Sequence, residues 1–204
     1  MAGRPAVLRA RHRMRKILVL RGGALGDFIV TLPALAALRQ RWPTARIELA
    51  GNATAAQLAL SRGLIDAAHS QHEARWSALF GADKLLTEFA SWLTTFDLVI
   101  NFWPDSDRAI ARRFPLRVGQ TFLSADALPQ RTPAAAHYCE PLRALDIECS
   151  NFFFHLAERP RGHVCSHIAI HSGSGSPKKN WPAGKMARMH HPSPAPGLTH
   201  SRQS

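Results

Sequence analysis

The sequence predicts an α/β protein whose main domain is a doubly wound, Rossmann-like parallel sheet. A continuous apolar run from Lys16 to Arg21 leads into a glycine-rich turn over residues 22–26. Strands that are buried on both faces of a parallel sheet have such runs, without the alternation of a half-exposed strand. Strand-like segments then alternate with segments of helical periodicity. Parallel strands require crossover connections, and this alternation supplies them.

The first part of the chain contains three predicted strands and two predicted helices. From Asp27 the apolar residues recur every three or four positions, which predicts one helix as far as Trp42. Pro33 falls in the first turns of that helix, where proline is tolerated. Two more strands, and the helix between them, are predicted over residues 46–50, 64–68 and 53–60.

The same alternation continues to about residue 160. Helices are predicted over residues 84–93, 105–114 and 134–145, with a strand over 96–101 and a short segment over 117–119 after the second of these helices. An incomplete second Rossmann-like unit follows, with a strand at 167–171, a Gly/Ser loop at 172–179 and a helix at 182–189. The final segment lacks periodicity, which predicts a disordered tail. The sequence therefore predicts four divisions. Residues 1–14 are a basic arm or a misplaced start, 15–160 the main domain, 161–189 the second unit and 190–204 the tail.

The chain is strongly basic, which favours an anionic partner. It has 26 Lys and Arg residues against 14 Asp and Glu residues, a formal net charge of +12. Nucleic acid, an acidic membrane surface and a phosphorylated substrate all fit this charge. Part of the excess lies near the start, at Arg4, Arg9, Arg11, Arg13, Arg15 and Lys16. This arm lacks the apolar segment of a secretory signal, and Met14 before the first strand favours a misplaced start over a transit peptide.

Two features indicate a cytoplasmic protein. No uninterrupted apolar run approaches the ~20 residues that cross a bilayer. The three cysteines, Cys139, Cys149 and Cys165, are odd in number and form no Cys-x-x-Cys pair. This pattern favours a reducing compartment over a disulfide framework.

The glycine-rich turn resembles a phosphate-binding fingerprint. Gly22, Gly23 and Gly26 follow the first strand and let the backbone turn tightly beside a ligand. Arg21 occupies the first glycine position of the dinucleotide motif Gly-x-Gly-x-x-Gly, and Glu48 lies about where its ribose-binding acid would be. An NAD-dependent oxidoreductase is therefore an alternative.

Asp27, at the end of this turn, has two possible roles. A carboxylate at a helix start commonly serves as the N-cap and accepts hydrogen bonds from first-turn amides. The same carboxylate could instead remove a proton from a substrate hydroxyl. Both roles are compatible only if one of its oxygens remains free.

A second phosphate loop is predicted over residues 171–182. Ser174, Gly175 and Ser176 offer amides and hydroxyls to a pyrophosphate, and Lys179 supplies a positive charge. The loop lacks the Gly-Lys-Ser/Thr ending of a Walker motif. The alternative is a flexible Gly/Ser linker.

Together these segments resemble glycosyltransferase family 9, the ADP-heptose:lipopolysaccharide heptosyltransferases. Residues 14–35 closely resemble the start of that family, residues 97–101 its later acceptor-domain strand, and residues 171–182 the start of its donor domain. The resemblance extends to about Met189 and implies a GT-B architecture, with two Rossmann-like domains facing each other across a cleft. It also implies inverting, metal-independent transfer of heptose from ADP-heptose to a sugar hydroxyl of the lipopolysaccharide inner core.

The family's residue roles transfer to a few positions. Its proposed base matches Asp27, its phosphate-contacting lysine matches Lys179, and the hydroxyls of its donor loop fall near Ser174 and Ser176. No cofactor or metal is implied. The implied partners are a nucleotide-sugar donor, a lipopolysaccharide core acceptor and the anionic inner-membrane surface, to which a cytoplasmic enzyme would bind peripherally. Nothing after Met189 matches the family's later donor motifs, so we expect a truncated and inactive chain.

Other patterns favour simpler roles. Asp105 and Asp107 have the Asp-x-Asp spacing of metal-dependent glycosyltransferases, but acids also suit the start of a helix. His163, Cys165 and His167 alternate, which is compatible with soft ligands but better explained by an ordinary core strand. A basic nucleic-acid-binding module remains an alternative, although no zinc-finger spacing, RNP signature or helix-turn-helix pattern accompanies the arginines. No specific nucleic acid is therefore expected.

Overall fold

Five parallel strands form a single sheet in the computed structural model, which describes residues 14–81, 84–130 and 132–154. All of these residues lie in the first of two units into which the chain divides, residues 1–156 and 157–204. The strand order is β3-β2-β1-β4-β5. The strands span Lys16–Arg21 (β1), Arg46–Gly51 (β2), Ala67–Ser70 (β3), Leu98–Asn101 (β4) and Thr121–Ser124 (β5). The predicted Rossmann-like parallel sheet is confirmed.

Short helices connect the strands on both faces of the sheet. They span Leu25–Ile29 (α1), Leu32–Arg41 (α2), Ala53–Leu60 (α3), Thr87–Leu93 (α4), Ala109–Arg113 (α5) and Ala134–Cys139 (α6), with 3-10 helices at Ala74–Leu79 and Glu140–Leu145. Among the described residues, no helix is long and apolar enough to cross a membrane.

Alternate residues of β1 face two separate cores. Ile17 and Val19 pack with α2, α3 and α6, whereas Leu18 and Leu20 pack with Trp76 and the residues of α4 and α5. All four β1 side chains are fully buried. This two-sided burial explains why the strand is a continuous apolar run.

The helix predicted from Asp27 to Trp42 is two helices. α1 ends at Ile29 and α2 begins at Leu32. Pro33 lies in the first turn of α2, because proline lacks the N–H that an interior helical position would use. The helix predicted over 134–145 also changes type at Glu140, where Pro141 stands at the start of a 3-10 helix.

β3 lies further along the chain than the strand predicted over residues 64–68. Leu64 and Ile65 are buried before β3 begins, and Gly63 has a φ of +64° in the turn that ends α3. Apolar content alone did not distinguish the turn at residues 63–65 from a strand start. The short segment 117–119 is a turn before β5, in which the Gln120 N–H donates to the Arg117 carbonyl oxygen at 3.1 Å, and β5 itself was not predicted. The predicted helices 84–93 and 105–114 and the strand 96–101 are shorter at their starts.

Candidate functional site

A cavity of about 490 Å³ opens where the strands end. It lies beside the ends of β1 and β4, where the strand order reverses and where open α/β sheets usually bind ligands. Segments that follow β1, β3, β4 and β5 all contribute to its walls. The lining residues are Arg21, Gly22, Gly23, Asp27, Gln71, His72, Phe80, Phe102, Trp103, Pro104, Ala127 and Leu128.

Two glycines of the turn line the cavity. Gly23 has a φ of +98°, which strongly favours glycine, and a Cβ there would lie 2.8 Å from Asp27 Oδ2. Asn52 Nδ2 donates to the Gly23 carbonyl oxygen at 3.2 Å and so ties the turn to the start of α3. Gly22 and Gly23 line the cavity, whereas Gly26 is an exposed residue of α1 and is not part of the lining.

Asp27 is not the N-cap of α1. The N-cap is Ala24, and Asp27 is the third helical residue, whose Oδ2 accepts the Ala24 N–H at 3.0 Å. An acid at this position commonly reaches back to the N-cap amide. Asp27 is exposed and lines the cavity, and its Oδ1 accepts no hydrogen bond from the described part of the chain. One carboxylate oxygen is therefore available to a ligand.

Arg21 is a buried cation at the inner end of the site, with only 4% of its surface exposed. Its guanidinium binds neutral oxygens: the Asp27 carbonyl at 2.7 Å, Thr31 Oγ1 at 3.0 Å and the Tyr138 hydroxyl at 2.9 Å. It forms no ion pair with a carboxylate of the described residues. Burial lowers the pKa of Arg21 and raises the pKa of Tyr138. Arg21 therefore joins the end of β1 to α1 and α6.

The loop after β5 is fixed by α6. His137 Nδ1 accepts the Gln130 N–H at 3.5 Å, so Nε2 carries the proton and donates to the Asp126 carbonyl oxygen at 2.7 Å. The Tyr138 hydroxyl donates to the Ala127 carbonyl oxygen at 2.7 Å. These bonds position the wall that Ala127 and Leu128 contribute.

Trp103 contributes the wall after β4. Its backbone N–H donates to Asn101 Oδ1 at 3.0 Å, and the Asn101 side chain is fully buried at the strand end. The Trp103 ring meets Trp76 edge to face, with centroids 5.3 Å apart, and lies 5.7 Å from the half-exposed ring of Phe80 at a 32° tilt. The cavity is thus bounded by aromatic side chains on this side.

Glu48 is not available to a ribose. Its carboxylate is 4% exposed and contacts Lys16 Nζ at 3.4 Å, Arg46 Nε at 2.9 Å and His69 Nε2 at 2.7 Å. Arg75 donates to His69 Nδ1 at 3.1 Å, so His69 Nε2 carries the proton that Glu48 accepts. Burial raises the pKa of Glu48, but the His69 and Arg46 hydrogen bonds and the Lys16 charge lower it to about 2. The alternative of an NAD-dependent oxidoreductase therefore lacks the ribose-binding acid that was proposed for it.

Asp105 and Asp107 cap α5. Asp105 accepts the N–H groups of Ile110 at 2.8 Å and Ala111 at 3.1 Å, and Asp107 accepts that of Ala109 at 3.2 Å. Within the described ranges, no group of three His, Cys, Asp or Glu side chains could hold a metal ion. The Asp-x-Asp spacing is thus explained by the helix start.

The structure describes only part of the predicted site. Ser174, Gly175, Ser176 and Lys179 lie outside the described residues, as do His163, Cys165 and His167. Sequence reasoning did not identify Gln71, Phe80 or Trp103 as site residues. Gln71 and Trp103 lie just beyond the carboxyl ends of β3 and β4, so a correct strand order could have found them, whereas Phe80 depends on an unpredicted 3-10 helix.

Comparisons with known proteins bear on the fold. No protein-family model matches the chain, and no curated protein matches it. The chain is similar to the solved structure of a glycosyltransferase family 9 protein from Veillonella parvula, at 23% identity and a TM-score of 0.60. That match covers 87% of this chain and 59% of the Veillonella protein, so the chain spans less than two thirds of its length.

Two structures of the E. coli heptosyltransferase WaaC are more distant. The structure with ADP has 15% identity and a TM-score of 0.44, and the match covers 66% of this chain and 48% of WaaC. The structure with ADP-2-deoxy-2-fluoro heptose has 18% identity and a TM-score of 0.38, with 64% and 46% covered. Of these three structures, only that of the Veillonella protein has a TM-score above 0.5, so the comparison of folds uses it alone. The described residues form an α/β domain like that of GT-B glycosyltransferases.

Proposed function

We propose that the chain provides the acceptor side of a glycosyltransferase that moves heptose from ADP-heptose to a sugar hydroxyl of the lipopolysaccharide inner core. The observation that carries this proposal is the Asp27 carboxylate, which lines the cavity and has an oxygen without a described hydrogen-bond donor. The resemblance of residues 14–35 to the start of family 9 supports the same reaction.

The proposed reaction is a single displacement. An acceptor hydroxyl in the cavity gives its proton to Asp27 as its oxygen bonds to the anomeric carbon of the donor. The bond from that carbon to the pyrophosphate oxygen breaks, ADP departs, and the configuration inverts. In this proposal Ser174, Gly175, Ser176 and Lys179 bind the pyrophosphate, and no metal is required.

The charge of the chain suits these partners. A formal net charge of +12 favours phosphorylated core glycans and the anionic cytoplasmic leaflet, where basic residues each contribute roughly 1 kcal/mol near the surface. We propose peripheral binding there, which would place the cavity near a membrane-anchored acceptor.

The proposal is tested by transfer and by binding. Radiolabelled heptose transfer from ADP-heptose to a heptose-free core oligosaccharide is measured for the 204-residue chain and for a fused form. The fused form joins residues 1–189 to the later part of a family 9 donor-binding domain, so that residues 171–182 remain its phosphate loop. Calorimetry measures acceptor affinity for the 204-residue chain in parallel. We expect saturable acceptor binding and an inverted heptoside product in the fused form. Tight binding of NAD together with no affinity for the oligosaccharide would contradict the proposal.

A further inference from the structure

Gly22 leaves a small cradle in the cavity between two polar atoms. A Cβ at this position would lie 2.7 Å from Gln71 Oε1 and 3.4 Å from Trp103 Nε1. A side chain would therefore fill the space in front of both atoms. The glycine keeps them accessible to a ligand.

One of the two atoms is a hydrogen-bond donor and the other is an acceptor, and neither is paired in that role among the described residues. Trp103 is 4% exposed, and its indole N–H donates to no described residue. The Gln71 amide contacts His72 through Nε2 at 3.4 Å, and its Oε1 accepts no hydrogen bond among the described residues. Among the described residues, only Arg39 Nε and Arg75 Nε are buried polar side-chain atoms without a partner, so the Trp103 nitrogen is accessible from the cavity. An unpartnered donor beside an unpartnered acceptor matches a hydroxyl group, which accepts one hydrogen bond and donates another.

Phe80 adds an apolar surface beside the cradle. Its ring is 49% exposed, lines the cavity and lies at a 32° tilt to the Trp103 ring. A pyranose ring has one face composed of C–H bonds, which packs on the electron-rich face of an aromatic ring. A hydroxyl site beside such a surface fits a sugar ring better than a planar base or an extended peptide.

We infer that Gly22, Gln71 and Trp103 bind a second hydroxyl of the acceptor sugar, and that Phe80 supports the apolar face of the same ring. This inference builds on the proposed function. Asp27 takes the proton of the reacting hydroxyl, while the cradle fixes the orientation of the ring. The cradle would discriminate between acceptor sugars, because a site built to bind a hydroxyl rejects an analogue that lacks this hydroxyl.

Three substitutions in the full 204-residue chain test the inference. Trp103→Phe keeps an aromatic ring but removes the N–H, Gln71→Met removes the acceptor, and Gly22→Ala fills the cradle. Calorimetry measures their affinity for the heptose-free core oligosaccharide and for monodeoxy forms of its terminal sugar. Phe153→Leu is the control, since Phe153 is 81% exposed and does not line the cavity.

Each of the three variants is expected to bind the intact oligosaccharide about 3- to 10-fold more weakly, the range of one lost hydrogen bond. The monodeoxy form that lacks the bound hydroxyl should bind weakly to the unmodified chain. Trp103→Phe should bind this form as weakly as the unmodified chain does, because the hydrogen bond is already lost. Gln71 is partly exposed, so Gln71→Met keeps the test valid if Trp103→Phe fails to fold. Unchanged affinity in Gln71→Met and Gly22→Ala would overturn the inference.

Transfer kinetics of the fused form separate this inference from the proposed function. Loss of the cradle should raise KM for the acceptor with little change in kcat, whereas loss of the base should lower kcat. If Asp27→Asn abolishes transfer while the cradle variants keep the unmodified KM, the inference fails and the proposed function stands. If Asp27→Asn transfers normally, the proposed function fails.

Discussion

The Arg21 guanidinium donates two hydrogen bonds to the backbone carbonyl oxygen of Asp27, from Nη2 at 2.7 Å and from Nε at 3.2 Å. The last residue of β1 thus fixes the position of the carboxylate that lines the cavity. Because both bonds go to the backbone, they do not occupy the Asp27 carboxylate, whose Oδ2 accepts the Ala24 N–H and whose Oδ1 accepts no hydrogen bond from the described residues.

Arg21→Lys is expected to destabilise the fold by about 1–3 kcal/mol and to lower transfer by the fused form. Lysine keeps the charge but cannot reproduce the planar fork that reaches Asp27, Thr31 and Tyr138 together. Urea unfolding followed by circular dichroism measures the stability. Arg112→Lys, at an exposed position of α5, is the matched control. Equal urea midpoints for the Arg21 variant and the unmodified chain would contradict the role given to Arg21.

The contacts of Glu48 predict that the free energy of unfolding falls as the pH is lowered into the acid range. Its pKa of about 2 in the folded protein lies below the ordinary 4.5, so the folded state binds fewer protons between these values. The stabilisation, roughly 3 kcal/mol, is complete above about pH 4.5 and is lost as the pH falls towards 2. Glu48→Gln should therefore differ most from the unmodified chain at pH 7 and much less at pH 3.

Urea unfolding at both pH values provides the measurement for Glu48. Glu88→Gln, an exposed residue of α4, controls for the general loss of one carboxylate. A stability difference that stays constant between pH 7 and pH 3 would show that the contacts with Lys16, Arg46 and His69 do not act through the ionised carboxylate.

The sequence predicted the strands that are buried on both faces better than those that begin after a turn. β1 matched fully and β2 gained one residue, because a continuous apolar run of this length beside glycines is typical of a buried parallel strand. β3 was displaced, since Leu64 and Ile65 are equally apolar in a turn that packs on the core, and β5 was not predicted. Local pattern cannot distinguish a buried turn from a strand end.

The candidate site was predicted only where it is local in sequence. Gly22, Gly23 and Asp27 are neighbours in the chain and lie together in the cavity. Gln71, Phe80 and Trp103 come from three other segments, which the strand order brings to the same cavity. The possible role of Asp27 as the N-cap of α1 was wrong, because the helix begins two residues earlier than the sequence indicated.

In the fused form, Lys179→Ala is expected to weaken ADP-heptose binding by about 1–3 kcal/mol, the scale of a charge-assisted hydrogen bond. The proposal assigns Lys179 to the pyrophosphate, so ADP itself should lose a similar amount. Calorimetry with both ligands measures the change, and Lys178→Ala serves as the neighbouring control. An unchanged affinity for ADP would exclude this lysine from the donor site.

The most direct measurement compares Asp27→Asn with the unmodified sequence in heptose transfer by the fused form. The amide can still accept the Ala24 N–H at the start of α1 but cannot take a proton from the acceptor. Acceptor affinity and urea stability should stay within about twofold and about 1 kcal/mol of the unmodified values. We expect kcat to fall by roughly 10²- to 10⁴-fold, the usual contribution of a general base. Transfer at the unmodified rate by Asp27→Asn would contradict the assignment of Asp27 as the base.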